Sequence, residues 1–136
     1  MSAPEPCKEA LRWQRFARED LAAARALLDL SEMAPRQACW LSQQASEKAL
    51  KSIFVMQQID FPRLHDLDVL HGLLPSGWTI TVTTEELAWL SEWSIEGRYP
   101  GDWPEAAQAD ATRAVELATT IVDLVARLMR KHRAAD

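Results

Sequence analysis

The sequence predicts an all-α protein, an antiparallel up-and-down helical bundle of about five helices, three long and two short. Apolar residues recur at helical spacing over three long segments. Pro35, Pro62, Pro75, Gly77 and Gly97 fall between the helical segments. A stripe of small residues marks the middle long segment as one that packs closely on its neighbours. The 136 residues suit a single domain, 1–136, with its core over about 10–130.

The first helix is expected over residues 5–30. Trp13, Phe16, Ala17, Leu21, Ala24, Leu27 and Leu28 recur at its period. The second is expected over 36–57, after the break at Pro35. Ala38, Ser42, Ala45, Ala49 and Ser52 form its small-residue stripe, and Glu47 with Lys51 makes an i,i+4 pair in the favourable order. Trp40, Leu50 and Phe54 lie off that stripe, so a second surface of this helix also needs cover. A homodimer would supply it.

A short third helix begins after Asp66, a candidate N-cap, with Leu67, Leu70 and Leu74 inward; Pro75 and Gly77 stop it. Residues 78–82 alternate like a strand. With no partner strand in view, they read as an extended connection. Thr83 and Glu86 form a capping box that opens a fourth helix through about Ile95. Residues 98–104 read as an irregular loop, with Asp102 as a cap for the next helix and Pro104 in its first turn. The last helix is expected over about 104–131, burying Ala107, Ala111, Ala114, Ala118, Val122, Val125 and Met129.

Composition narrows the function classes. The net charge of −5 argues against a general phosphate-binding surface, so any nucleic-acid site must be a local basic patch. Cys7 and Cys39 are too few for a disulfide framework and read as reduced thiols. No apolar run reaches the roughly 18 residues of a membrane span. Residues 1–8 lack the apolar core of a signal peptide. A cytoplasmic protein without membrane association is expected. The six tryptophans are spread along the chain and read chiefly as core and subunit-interface filler.

Several segments, taken in order, resemble the HEPN family. They are Asp20-Leu21 with Ala24, then Ala38-Cys39-Trp40 leading into Gln43-Gln44-Ala45-Ser46-Glu47-Lys48-Ala49-Leu50-Lys51, then His65-Asp66-Leu67, then Arg98-Tyr99-Pro100. The resemblance spans about residues 10–125. Each piece is weak alone; their order and separation make the match specific. It implies the helical bundle, and two kinds of function. One is a non-catalytic interaction and nucleotide-binding module, a homodimer, partnered by a small nucleotidyltransferase in a toxin–antitoxin-type pair. The other is a metal-independent ribonuclease toxin with a degenerate active site. The ribonuclease branch of the family carries an arginine followed, after four to six residues, by a histidine near the start of the last helix. Such a pair would move a proton and stabilise phosphorane charge.

This sequence departs from that pattern. Arg98 stands at the expected place, but Trp103, Pro104 and Glu105 occupy the positions open to the histidine. Arg127 and His132 meet the spacing but lie late in the last helix. Five residues there turn the side chains about 140° apart. With Arg130, Lys131 and Arg133 they also read as a basic C-terminal turn suited to the helix dipole. A catalytic role is therefore not expected, and no metal or tightly held cofactor is indicated beyond a nucleotide or RNA ligand.

The candidate ligand-binding residues are Asp20, Gln44, Lys48, Lys51, His65, Arg98 and Tyr99. Asp20 falls on an apolar stripe and must find a partner. Either it orients Arg98 or Lys48 in a cleft, or it closes a buried salt bridge or a bond to Tyr99. Gln44, Lys48 and Lys51 form either an anion site or a solvated face with surface ion pairs. His65 is either a proton-transfer group or a loop anchor; His71 is too far round for a metal pair. Arg98 and Tyr99 either grip a phosphate and stack on a base, or staple the loop.

Overall fold

The computed structural model describes residues 5–30, 35–96 and 105–135. Helical periodicity is realised in three long helices, α1 (Glu5–Asp29), α2 (Pro35–Met56) and α6 (Gln108–Ala135), with short helices α3 (Leu67–Gly72), α4 (Thr84–Ser91) and α5 (Trp93–Glu96) between the last two. No strand occurs among the described residues.

The chain runs up, down, up and down. Gln14 meets Met129 and Arg25 donates to Thr119, so α1 and α6 are antiparallel. Ser52 also reaches Met129, so α2 and α6 run the same way. The return stroke is the discontinuous α3–α5 arm. The three long helices meet through alanines: Ala17 and Ala24 of α1, Ala45 and Ala49 of α2, and Ala114 and Ala118 of α6 are all buried. Small side chains let the backbones approach, and interiors packed this densely leave no room for larger ones.

Helix α2 is the axis of the molecule, packing on all five other helices. Its small-residue stripe, Ala38, Ser42, Ala45, Ala49 and Ser52, is fully buried, as the sequence predicts. Its second apolar surface is covered in part from within the chain, with Trp40 left half-buried. Leu50 and Phe54 are buried, and Phe61 packs edge-on against Phe54. A second copy is not needed to cover Phe54. Phe16, expected on the buried stripe of α1, instead lies outside, flanked by the guanidinium groups of Arg12 and Arg15.

The helix ends follow local chemistry. Helix α2 closes in a Schellman arrangement: Ile59 N–H donates to Phe54 C=O and Gln58 N–H to Val55 C=O, with Gln58 left-handed at φ 56°. Asp66 precedes α3, yet its side chain makes no capping bond. Pro75 to Trp78 form a turn closed by Trp78 N–H to Pro75 C=O, in which Gly77 takes φ 88°. The Thr83–Glu86 capping box is present in both directions. The fourth helix is shorter than expected: Glu92 N–H reaches back only to Trp89 C=O, tightening the last turn of α4 before α5 begins. Helix α6 starts at Gln108 rather than 104, because the Asp110 carboxylate accepts from Ala107 N–H; Ala107 is exposed. Asp102, Pro104, Arg98 and Tyr99 lie outside the described residues.

The alternation at residues 78–82 is real but unpaired. Trp78, Ile80 and Val82 point in, and Thr79 and Thr81 point out. It is an irregular connection packed on the helices, with a bend at Thr81.

Candidate functional site

Glutamine, glutamate and lysine stand one turn apart on α2 at 43, 47 and 51. All three are buried, between the small-residue stripe and the Leu50–Phe54 surface. Burying a charge in a helical core is costly unless it is paired and fully hydrogen-bonded. Here it is both. Lys51 Nζ donates to Glu47 Oε2 at 2.9 Å, and Gln43 Nε2 donates to Glu47 Oε1 at 3.2 Å. The fourth member comes from the loop ahead of α3: His65 Nδ1 lies 2.9 Å from Glu47 Oε1. Gln43 Nε2 also donates to the His65 carbonyl at 2.9 Å, which holds that loop against α2.

Burial pushes the Glu47 carboxyl up, but the hydrogen bonds from Lys51 and His65 outweigh it and hold the group below its ordinary range. Glu47 is therefore ionised, and His65 Nδ1 is placed to donate to it. Its Nε2 lies outside the network. Only 9% of the Glu47 side chain is accessible, against 52% for His65. The imidazole is the exposed edge of an otherwise buried cluster. Lys51 also lies beneath the ring of Phe61, 5.1 Å from its centre, and Phe61 packs edge-on against Trp13.

A second pair lies along the neighbouring edge of α2, where Lys48 meets Asp20 of α1. Gln44 Nε2 donates to Gln43 Oε1 at 2.8 Å and so joins the first cluster. Among the described residues no hydrogen bond links Lys48 to the Glu47 cluster. Of the sequence-derived candidates, Lys51, His65 and Gln44 thus converge on one network, and Asp20 and Lys48 form another. Arg98 and Tyr99 fall outside the described residues. Lys51 is not on a solvated face: it is buried and salt-bridged. Each lysine already has a carboxylate, so neither is an open anion site.

Sequence reasoning missed Gln43 and Glu47 as site members. The signal was the i,i+4,i+8 spacing of Gln43, Glu47 and Lys51 inside a segment whose flanking residues are small or apolar. Polar side chains there must satisfy one another.

The Arg127 and His132 pair does not converge on a common point. His132 stacks on Trp78, with ring centres 3.8 Å apart and planes 18° apart, and its Nε2 lies 3.3 Å from the Gly77 carbonyl. This ring pins the turn before α4 to the end of α6, which continues to Ala135 rather than fraying near 131. The Cys39 thiol is buried and pushed up to about 12, chiefly by burial, and both cysteines are free. No group of three or more metal-ligating side chains occurs among the described residues, and no helix there is long and apolar enough to cross a membrane.

The family model of the HEPN domain matches residues 10–128. The crystal structure of TT1696 from Thermus thermophilus superposes with a TM-score of 0.77 at 27% identity, covering 88% of this chain and 97% of that one. ST0689, described as an archaeal HEPN homologue, superposes with a TM-score of 0.68 at 26% identity, with the same coverage of both chains. No curated protein matches the sequence.

Proposed function

We propose that this chain, which belongs to the HEPN domain family, is a non-catalytic interaction module that binds a nucleotide at the His65 edge of the α2 cluster. In this reading it acts in the cytoplasm as a homodimer beside a small nucleotidyltransferase, in a toxin–antitoxin-type pair. The supporting observation is the Gln43–Glu47–Lys51–His65 network itself. A helical bundle can fill its core with apolar side chains at no loss of stability. This one instead buries a charge pair and uses it to hold an imidazole at the surface in one orientation. That arrangement suits a ligand that hydrogen-bonds to Nε2, such as a nucleotide phosphate or base edge.

The test is thermal unfolding of the full chain with and without AMP and ATP. A bound nucleotide raises the melting temperature with concentration. His65→Ala removes that protection, while Lys48→Ala, in the separate Asp20 pair, weakens it less. If neither nucleotide protects the wild type at millimolar concentration, the proposal fails.

A second reading has one observation in its favour. A buried carboxylate orienting a half-exposed histidine is also a proton-transfer device, so a degenerate ribonuclease remains the rival. The two part in an RNA degradation assay. The expected outcome is no cleavage above background for the wild type. Cleavage abolished by His65→Ala would establish the rival instead.

A further inference from the structure

The chain has three histidines, and the fold uses them differently. His71 Nε2 accepts from Ile80 N–H at 3.0 Å, so its lone pair is engaged. His132 is stacked on Trp78, with its Nε2 3.3 Å from the Gly77 carbonyl. His65 instead sets Nδ1 against a carboxylate, 2.9 Å from Glu47 Oε1, while 52% of its side chain stays accessible. The network makes no use of its Nε2. A neutral imidazole carries its proton on one nitrogen and a lone pair on the other. A ring that donates from Nδ1 to a carboxylate therefore presents a nucleophilic Nε2. Anchoring the loop does not require this bond, because Gln43 Nε2 already donates to the His65 carbonyl at 2.9 Å. Glu47 by itself would repel an anionic reactant. Lys51 Nζ, 2.9 Å from Glu47 Oε2, offsets that charge. Arg63, two residues before His65, is exposed and forms no ion pair among the described residues.

We propose that His65 is a modification site, whose Nε2 accepts a phosphoryl group from a phosphoric anhydride, either an acyl phosphate or a nucleoside triphosphate. The Nε2 lone pair attacks phosphorus. The N–P bond forms as the P–O bond to the leaving group breaks, and the carboxylate or nucleoside diphosphate departs with the electron pair. No proton has to move: Nδ1 keeps its own, and the ring becomes cationic. Glu47 is then a positioning residue. It aims Nε2 at solvent, and its fixed charge stabilises the positive charge that develops on the ring. Arg63 is available to the phosphoryl oxygens, which suit a guanidinium. The product carries a phosphoryl charge of about −2 at the exposed edge of the cluster, so the modification changes what a ligand or partner meets there. This inference rests on the same His65 edge as the proposed nucleotide site, but not on nucleotide affinity, because an acyl phosphate needs no contact to base or ribose.

The experiment incubates the full chain with acetyl phosphate or with magnesium ATP. Phosphohistidine is read by phosphorus NMR at alkaline pH, where the N–P bond survives, and located by tandem mass spectrometry. The expected result is a phosphoryl group on His65 Nε2 with at least one donor. Labelling by acetyl phosphate identifies an acyl phosphate as the source, and labelling by ATP the nucleotide. His65→Ala abolishes the signal. Glu47→Gln, compared at unchanged helical circular dichroism, removes both the charge and the fixed orientation. Transfer then slows about tenfold or more, and the phosphoryl group appears on both ring nitrogens, a redistribution that a purely structural role for Glu47 does not produce. Three results overturn the proposal: no phosphohistidine with either donor at millimolar concentration, equal labelling of His65, His71 and His132, or attachment at Nδ1 in the wild type. Thermal protection by AMP without any phosphorylation overturns this inference and leaves the nucleotide site standing. Phosphorylation by acetyl phosphate of a chain that no nucleotide protects does the reverse.

Discussion

Glu47 is the residue on which the α2 cluster depends. It accepts from Lys51, Gln43 and His65 at once, and it is nearly inaccessible. Removing one partner of a buried pair leaves the other charge uncompensated, at a cost of about 3–5 kcal/mol. Replacing both with apolar residues of similar size is close to neutral. Glu47→Leu and Lys51→Met are each expected to lower stability severely, and the double variant to recover most of the loss. Urea denaturation of the four proteins measures this, and additive losses would disprove the coupling. The pH dependence follows from the direction of the shift. Because folding depresses the Glu47 pKa, its contribution is fully present above the unfolded-state value and is lost as pH falls through the lower, folded-state value. Wild type should lose stability on acidification over that range. Glu47→Gln, which cannot ionise, should show a flatter acid limb.

The elements show where local chemistry overrides apolar periodicity. Helix α2 ends because Gln58 takes a left-handed conformation and closes two backbone hydrogen bonds; Pro62 comes later. A residue with a Cβ is disfavoured there, by about 1 kcal/mol. Gln58→Gly should therefore raise the melting temperature, by roughly 1 kcal/mol of stability less the entropy that glycine adds to the unfolded chain. A decrease in calorimetry would show that the Gln58 side chain contributes more than the strain costs. The connection from α3 to α4 is closed by the capping box. Thr83→Ala removes the acceptor for Glu86 N–H and should cost about 1 kcal/mol.

At the scale of the molecule, Leu50 and Phe54 of α2 are covered within the chain, whereas Trp40 is only half-buried. The α3–α5 arm packs on α2, and Phe61 covers Phe54. Among the described residues the large apolar side chains that remain exposed are Phe16 on α1, Leu30, Ile59 and Leu64 around the turns, Val69 on α3 and Leu73 just after it. A homodimer, if it forms as proposed, buries this outer set and not Phe54. Sedimentation equilibrium at micromolar concentration is expected to give a dimer, and Val69→Glu with Leu73→Glu to give a monomer that keeps its helical signal. A monomeric wild type would remove homodimerisation from the proposed function. The tight alanine contacts among α1, α2 and α6 set a separate expectation: Ala45→Leu overpacks the junction and should cost about 1–3 kcal/mol.

The sequence by itself determined the all-helical class, the three long helices and the face each one buries. Those follow from the spacing of apolar and small residues, which is a local property of the chain. It also determined the Thr83 cap, the in–out alternation of 78–82, and that Asp20, a carboxylate on an apolar stripe, must be paired; which partner it takes, Lys48, was decided by the tertiary structure. Tertiary structure alone decided that Lys51 is buried and that Glu47 gathers Gln43, Lys51 and His65. The reason is that His65 arrives from a loop 18 residues further along the chain, and no local spacing records that approach. It decided that Phe54 is covered by Phe61 of the same chain, because a stripe in need of cover does not say what covers it. It also decided that His132 is a packing residue. The spacing of Arg127 and His132 is that of a catalytic pair, but the ring is taken up by Trp78, a contact across 54 residues of sequence that only the closed bundle brings together.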